Sequence, residues 1–156
     1  MKRLVAVFLW IFVNFFESHP LTPLVTAARE GDVAKIRSLA RQGVDPNDGA
    51  GVNEWTPLMH AIHKDQIGAV AALLDAHANP NLASSSGMTP LMMAAGYGQR
   101  KIVKLLLARG ANPRLKDHNG DTALDYARHG MNDIDHFTLF QRQEDVVKVL
   151  LPVSGH

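Results

Sequence analysis

A short phrase returns at a nearly constant interval along this chain. It reads Thr22-Pro23-Leu24, Thr56-Pro57-Leu58, Thr89-Pro90-Leu91 and Thr122-Ala123-Leu124, and its threonines stand 34, 33 and 33 residues apart. A fixed period in this range marks a repeat architecture, in which each unit is one supersecondary element that cannot bury its apolar face alone. The chain is therefore expected to be a stack of small helical units, which favours a binding surface over a catalytic pocket.

A second signature follows each threonine by about twenty residues. It reads Gly43-Val44-Asp45-Pro46-Asn47, His77-Ala78-Asn79-Pro80-Asn81 and Gly110-Ala111-Asn112-Pro113-Arg114. Between the two signatures come alanines and then an aliphatic stretch with i, i+3, i+4 spacing, which is typical of a helix with one buried face. The alanines are Ala27, Ala28, Ala61, Ala94, Ala95 and Ala127, and the aliphatic stretches contain Ile36 and Leu39; Val70, Leu73 and Leu74; Ile102, Val103, Leu105 and Leu106; and Val146, Val147, Leu150 and Leu151.

Local chemistry predicts how one unit is built. The threonine hydroxyl caps a first helix, and proline occupies the first helical position, where its missing N–H costs nothing. The alanines allow this helix to pack closely on its neighbours. A turn at Gly31 or Gly98 leads into a second helix, and Gly43 and Gly110 suit the left-handed residue just past its end.

This pattern resembles the ankyrin repeat, whose hallmark is a turn and two helices with a Thr-Pro-Leu-His-x-Ala core. The resemblance implies an all-α ankyrin-repeat solenoid of helix-turn-helix units with hairpin-like finger loops, and it predicts units at about 21–52, 53–85, 86–118 and 119–151. The family's histidine is replaced here by Val25, Met59, Met92 and Asp125, of which Asp125 alone offers a similar hydrogen bond. His77 stands where glycine is usual, so the end of that helix is expected to be strained or reshaped.

The last unit departs from the pattern. Val146 lies 24 residues after Thr122, whereas Ile102 lies 13 residues after Thr89, so 11 residues are inserted, roughly Met131 to Gln141. The insertion joins the two helices of this unit, which is also the C-terminal cap of the stack, and terminal units of solenoids are atypical.

The N-terminal segment predicts the cellular location of the protein. Lys2 and Arg3 precede an unbroken apolar run from Leu4 to Val13, which is too short to span a bilayer comfortably and fits the apolar region of a signal peptide. We expect residues 1–18 to be a signal peptide and residues 19–156 to be the ankyrin-repeat domain, exported to the periplasm or secreted. The alternatives are an uncleaved membrane anchor and an apolar helix that caps the first repeat.

Composition excludes several function classes. Without Lys2, Arg3 and Glu17, the 16 basic and 15 acidic side chains fall to 14 of each, and a balanced domain without a basic stripe argues against nucleic acid as the partner. The chain has no cysteine, which excludes disulfides, thiolate metal sites and a cysteine nucleophile.

Two groups of residues are candidates for catalysis or metal binding. His60 and His63 share a helix face at i, i+3 spacing, but no third ligand is near them in the sequence. A mixed carboxylate and imidazole patch surrounds the insertion and contains Asp125, His129, Asp133, Asp135 and His136. We interpret both groups as exposed polar residues. We therefore expect that the protein is not an enzyme and binds no metal or other cofactor. A metal-dependent hydrolase that uses these groups is the remote alternative.

The family resemblance implies partner contacts at the finger tips and on the concave face of the first helices. It assigns Trp55, Met88 and Asp121 to the fingers, His60, Met93 and Tyr126 to the first helices, and His63 and Tyr97 to the region near the helix ends. Aromatic residues and methionine are enriched in interface cores, and Trp and Tyr dominate hot spots. We therefore expect a protein-protein interaction module whose partner is unknown. We expect it to be a monomer, because each unit buries its apolar face against its neighbour within the chain. A membrane-anchored adaptor and an accessory of one cognate enzyme are the alternatives.

Overall fold

The computed structural model of the chain describes residues 21–49, 53–129 and 136–154, and the predicted signal segment lies outside them. The described residues form eight helices, two in each predicted unit. They are α1 (Pro23–Glu30) and α2 (Val33–Arg41), α3 (Pro57–His63) and α4 (Ile67–Asp75), α5 (Pro90–Gly96) and α6 (Arg100–Ala108), and α7 (Ala123–His129) and α8 (His136–Ser154). The first helices α1, α3, α5 and α7 pack side by side, and so do the second helices. The fold is the helical solenoid that the repeat predicts.

Each first helix begins at the threonine of the repeated phrase. The threonine hydroxyl accepts a hydrogen bond from the backbone N–H of the residue three positions later in the chain. The N···O distance is 3.2 Å for Thr22, 3.3 Å for Thr56 and Thr89, and 3.4 Å for Thr122. Proline follows directly in the first three units, where the backbone N–H has no helical partner to lose. The predicted caps are confirmed, and they set the starting point of every first helix.

The alanines of the first helices are buried in the stack. All six are 0 to 3% exposed, namely Ala27, Ala28, Ala61, Ala94, Ala95 and Ala127. A methyl side chain keeps adjacent helix backbones close together, so the second helices can cover the stack from one side with larger aliphatic residues. Ile36, Leu73 and Leu106 are fully buried there, and each such residue stabilises the fold by about 1.5–3 kcal/mol relative to leaving it in water.

Side-chain hydrogen bonds join the units at the ends of the second helices. The Asn47 amide oxygen accepts the Asn79 backbone N–H at 2.7 Å, and Asn81 does the same for Asn112 at 2.7 Å. The Asn81 side-chain amide also donates to the carbonyl of Gly110 at 3.0 Å. The repeated Asn-Pro signature therefore fixes the position of each unit relative to the next.

The finger loops are joined in the same repeating way. The Ser85 N–H donates to the Asn53 carbonyl and the His118 N–H donates to the Ser86 carbonyl, both at 3.2 Å. The two donors are 33 residues apart in sequence, and so are the two acceptors, so the bond recurs at equivalent positions of successive units. Backbone pairing between fingers thus holds the tips in register.

The last helix is longer than its counterparts. α8 begins at His136, so residues 136–141 of the predicted insertion extend it at its N-terminus, while residues 131–135 lie outside the described part. Leu150 is buried but Leu151 is 48% exposed, which corrects the expectation that both belong to the buried face. Among the described residues, no helix combines the length and apolar character that crossing a bilayer requires.

Left-handed backbone recurs at three places in the repeat: the finger turn, the turn between the two helices, and the residue or two after the second helix. Where the structure describes these places in the other units, glycine fills them, as predicted for Gly31, Gly43, Gly98 and Gly110. Among the described residues, the three exceptions are Glu54, Asp65 and His77, with φ of 53°, 54° and 66°. All three lie in unit two, so this unit alone holds side chains at every left-handed position.

Replacing His77 by glycine should stabilise the protein. A side chain in left-handed backbone costs about 1–2 kcal/mol, and glycine removes that cost while adding roughly 0.5–1 kcal/mol of unfolded-state entropy. We expect His77→Gly to raise the free energy of unfolding by about 0.5–1 kcal/mol in urea titrations. Ala76→Gly is the matched control, because Ala76 has a φ of −82° and should be destabilised by glycine. Loss of stability in both variants would show that His77 is not strained.

Candidate functional site

Four rings meet where the finger of unit two reaches the first helices; we call Trp55, His60, His63 and Tyr97 the ring cluster. Trp55 directly precedes the capping Thr56, so its indole lies over the first two turns of α3. Its ring centroid is 5.6 Å from that of His60 and 5.4 Å from that of His63, at interplanar angles of 61° and 60°. Edge-on and tilted arrangements at these distances are favourable for aromatic rings. The cluster therefore joins a finger to a helix.

A hydrogen bond extends the ring cluster into unit three. The His63 Nδ1 and the Tyr97 hydroxyl are 2.8 Å apart, and the two rings are 5.8 Å apart at 51°. His63 is the last residue of α3, and Tyr97 is the residue that ends α5. Because α3 and α5 start at equivalent caps and both have 7 residues, their ends align and bring these side chains together.

Burial and two nearby cations disfavour protonation of His63. Burial against its neighbours lowers the pKa of the imidazole below 6.5, and the charges of Lys64 and Arg29 lower it further. Both cations lie at the ends of first helices, Arg29 in the last turn of α1 and Lys64 just after α3. His63 itself is exposed, so it is open to a binding partner on the surface.

The predicted partner-binding residues differ in accessibility. Trp55, Met88, Tyr97 and Tyr126 are half-buried, and His63 and Asp121 are exposed. His60 is only 8% exposed, and Met93 is 0% exposed within the core. The structure thus corrects the placement of Met93 on the groove surface: its side chain packs inside, and a partner would not reach it. Trp55, His63 and Tyr97 remain as a connected, accessible set.

The finger of unit four is organised by a carboxylate that sequence reasoning missed. Asp117 is 7% exposed and accepts hydrogen bonds at 2.9 Å from the backbone N–H of Asn119, the backbone N–H of Asp121 and the Tyr126 hydroxyl. The Asn119 side chain donates as well, at 3.3 Å. Asp117-x-Asn119-Gly120 is a turn-forming sequence in which an aspartate accepts N–H groups further along the chain, and this was the available signal. Asp121, through its backbone, and Tyr126, through its hydroxyl, therefore belong to a structural network around this finger turn.

The network lowers the pKa of Asp117 and raises the pKa of Tyr126. Burial opposes ionisation of Asp117, but the N–H groups of Asp121 and Asn119 and the Tyr126 hydroxyl together hold its pKa below the usual value. Burial and the hydrogen bond to Asp117 raise the pKa of Tyr126 to about 12. The phenol thus stays protonated as a donor, and the carboxylate stays ionised as an acceptor.

Asp125 was expected to offer the loop-joining hydrogen bond of the family's histidine, but its hydrogen bonds lie within its own unit, with Thr122. Its carboxylate accepts the Thr122 hydroxyl at 2.6 Å and the Thr122 N–H at 2.9 Å, while the Thr122 hydroxyl accepts the Asp125 N–H. These bonds with Thr122 lower the pKa of Asp125. The pair closes the start of α7 reciprocally, so Asp125 has a structural role here.

The structure describes the first candidate metal group, His60 and His63, and only part of the second. His60 and His63 both contact the Trp55 ring. Of the patch near the insertion, Asp133, Asp135 and the side chain of His136 lie outside the described residues. Within the described residues, no three His, Asp or Glu side chains are grouped so as to hold a metal ion.

Comparison with known proteins agrees with this architecture. A family model for ankyrin repeats in three copies matches residues 3–84, which is more than half of the chain. The chain belongs to the ankyrin-repeat family. A second ankyrin-repeat model, for many copies, matches residues 73–127. Ankyrin repeats are typically non-enzymatic and act as protein-protein interaction modules.

A curated relative is similar over part of the chain. The phosphate system positive regulatory protein PHO81 of Saccharomyces cerevisiae is 32% identical over 63 residues, which is 40% of this chain and 5% of that protein. The ankyrin-repeat chain thus spans a small fraction of that relative's length.

Titration of Tyr126 tests the Asp117 network. In a Tyr97→Phe background, absorbance reports Tyr126 alone among the chain's 2 tyrosines, and it should ionise near pH 12. Because the folded pKa lies above the unfolded value of 10.0, the network's contribution is complete below pH 10 and is lost as the pH rises toward 12. Asp117→Asn should lower the Tyr126 pKa and cost roughly 1–3 kcal/mol of stability. An unchanged Tyr126 pKa in Asp117→Asn would contradict the assignment.

Proposed function

We propose that this ankyrin-repeat protein binds a protein partner through its finger loops and its first-helix face, with Trp55, His63 and Tyr97 at the centre of the contact. The observation that carries the proposal is the ring cluster, in which two half-buried aromatic side chains flank an exposed histidine. Such side chains offer a large apolar area together with polar ends, and they lose little conformational entropy on binding.

The surroundings of the ring cluster support a contact surface. Trp55 is anchored by ring packing on α3, and Tyr97 is anchored by its hydrogen bond to His63. Backbone pairing between the fingers of units two and three keeps this region in register. A site held in this way in the free protein avoids part of the ordering cost of association.

The proposal includes export. The basic residues Lys2 and Arg3 followed by the apolar run Leu4 to Val13 support a signal peptide, which would deliver a monomeric domain to the periplasm or the outside of the cell. Mass spectrometry of the N-terminus of the protein from its native cell tests this point. A mature chain that begins near residue 19 supports export, and an intact N-terminus in the membrane fraction supports the anchored adaptor instead.

Trp55→Ala should weaken partner binding far more than it weakens the fold. If Trp55 is a hot spot, its truncation costs 2 kcal/mol or more, a loss of roughly thirtyfold in affinity, whereas loss of a half-buried ring should cost about 1 kcal/mol of stability. The measurement is quantitative capture of partners from native cells with tagged wild-type and variant protein, alongside thermal unfolding.

Ile67→Ala is the matched control, because Ile67 is 44% exposed on the second-helix side. It should leave capture unchanged. A large fall in melting temperature for Trp55→Ala with unchanged capture would assign Trp55 a structural role and remove it from the proposed contact.

A further inference from the structure

Asn119 and Gly120 form the single Asn-Gly step of the chain. Asparagine is among the thermolabile residues of proteins, and its side-chain amide reacts most readily when glycine follows, because glycine has no Cβ to hinder the approach of its backbone nitrogen. Both residues are exposed in the finger turn of unit four. The step therefore combines a reactive sequence with access to water.

The reaction at such a step is deamidation, and it consumes only water. The Gly120 backbone nitrogen gives its proton to hydroxide and attacks Cγ of Asn119, so that a C–N bond forms, and the side-chain nitrogen takes a proton from water and leaves as ammonia. Water then adds to either carbonyl carbon of the cyclic imide and opens the ring. The product is an aspartate, or an isoaspartate whose backbone runs through the former side chain.

The folded finger ties both reacting groups to Asp117. The Gly120 N–H donates to the Asp117 carbonyl at 3.1 Å, and the Asn119 side-chain amide donates to the Asp117 carboxylate at 3.3 Å. The glycine nitrogen must lose its proton and turn toward the amide, so its hydrogen bond has to break before the ring closes. The reaction therefore proceeds from an opened finger, and its rate follows how often the finger opens.

We propose that Asn119-Gly120 is a site of spontaneous deamidation whose rate is controlled by the Asp117 network. The N–H groups of Asn119 and Asp121 and the Tyr126 hydroxyl all donate to the carboxylate of this network at 2.9 Å. Each of these bonds lowers the population of the opened finger, and each therefore slows the reaction. The inference goes beyond the proposed function, because the reaction needs no partner.

Deamidation is irreversible, and its product does not rebuild the network. The aspartate places a carboxylate where the Asn119 amide donated to Asp117, so two negative groups would face each other there. The isoaspartate adds a carbon atom to the backbone and displaces the N–H groups of Gly120 and Asp121, which both donate to Asp117. A buried acceptor that loses its donors destabilises the fold, so the finger of unit four changes in one direction as the molecule ages.

Unit two contains a matched asparagine. Asn53 and Ser86 are 33 residues apart, and so are Ser86 and Asn119, so the two asparagines occupy equivalent positions of their fingers. The residue that follows is left-handed in both turns, with φ of 53° at Glu54 and 90° at Gly120. The glutamate side chain hinders attack by its own backbone nitrogen, so we expect Asn53 to resist deamidation at the position where Asn119 reacts.

The test is incubation of the purified full chain at mildly alkaline pH, followed by peptide mass spectrometry and an isoaspartate assay. Asn119 should lose its amide while Asn53 keeps its own. Glu54→Gly should create a second reactive site at Asn53, because it removes the hindering side chain. A synthetic peptide covering 116–123 gives the rate of the same step without the fold.

Variants of the network measure its control over the rate. Asp117→Asn and Tyr126→Phe each remove hydrogen bonds that close the finger, and each should raise the rate at Asn119 by roughly fivefold or more. Tyr97→Phe is the matched control, because the Tyr97 hydroxyl pairs with His63 and lies outside the network. It should leave the rate unchanged.

Either of two results would overturn the proposal. One is an intact Asn119 in both network variants after a time that fully converts the peptide. The other is an equal rate in the peptide, the wild type and the network variants, which would show that the fold does not control the step. Neither result affects capture of a partner through Trp55, so the proposed function is tested separately.

Discussion

Close approach of the first helices is the constraint on which the rest of this molecule depends. The alanines on these helices are at most 3% exposed, and their small methyl groups allow neighbouring units to approach closely. A larger side chain at any of them would push two units apart, because interiors packed at crystal-like density have little room to adjust. Such a separation would also lengthen the hydrogen bonds from Asn47 to Asn79 and from Ser85 to Asn53, which span adjacent units.

The ring cluster is a consequence of that spacing. The pairing of His63 with Tyr97 requires α3 and α5 to end side by side, and they do so because both start at a threonine cap and have 7 residues. Trp55 is held over α3 by the finger, whose register depends on backbone bonds to its neighbour. The candidate site is therefore built between repeats, and no isolated unit contains it.

The sequence predicted correctly the features that depend on local chemistry. Threonine caps, the turn glycines and the buried alanines follow from spacing and residue type, and the left-handed backbone at His77 followed from a missing glycine. Met93 was misplaced because helical periodicity gives the face of a residue but not how deeply tertiary packing covers that face. The bond from Tyr126 to Asp117 was missed for a similar reason, since it joins a helix to a finger turn. Glu54 and Asp65 were within reach, because alignment with Gly87 and Gly98 shows them at left-handed positions.

The exceptional backbone of unit two coincides with the unit that supplies most of the ring cluster. Glu54 adjoins Trp55, and Asp65 follows His63 by two residues, so two of the three strained residues flank the candidate site. A single repeat can hold such strain because solenoid stability is shared between each unit and its neighbours, and unit two has a glycine-bearing neighbour on either side. Strained residues cluster at functional sites when the surrounding structure over-determines them. The position of the strain is thus a reason, independent of the aromatic side chains, to look for function in unit two.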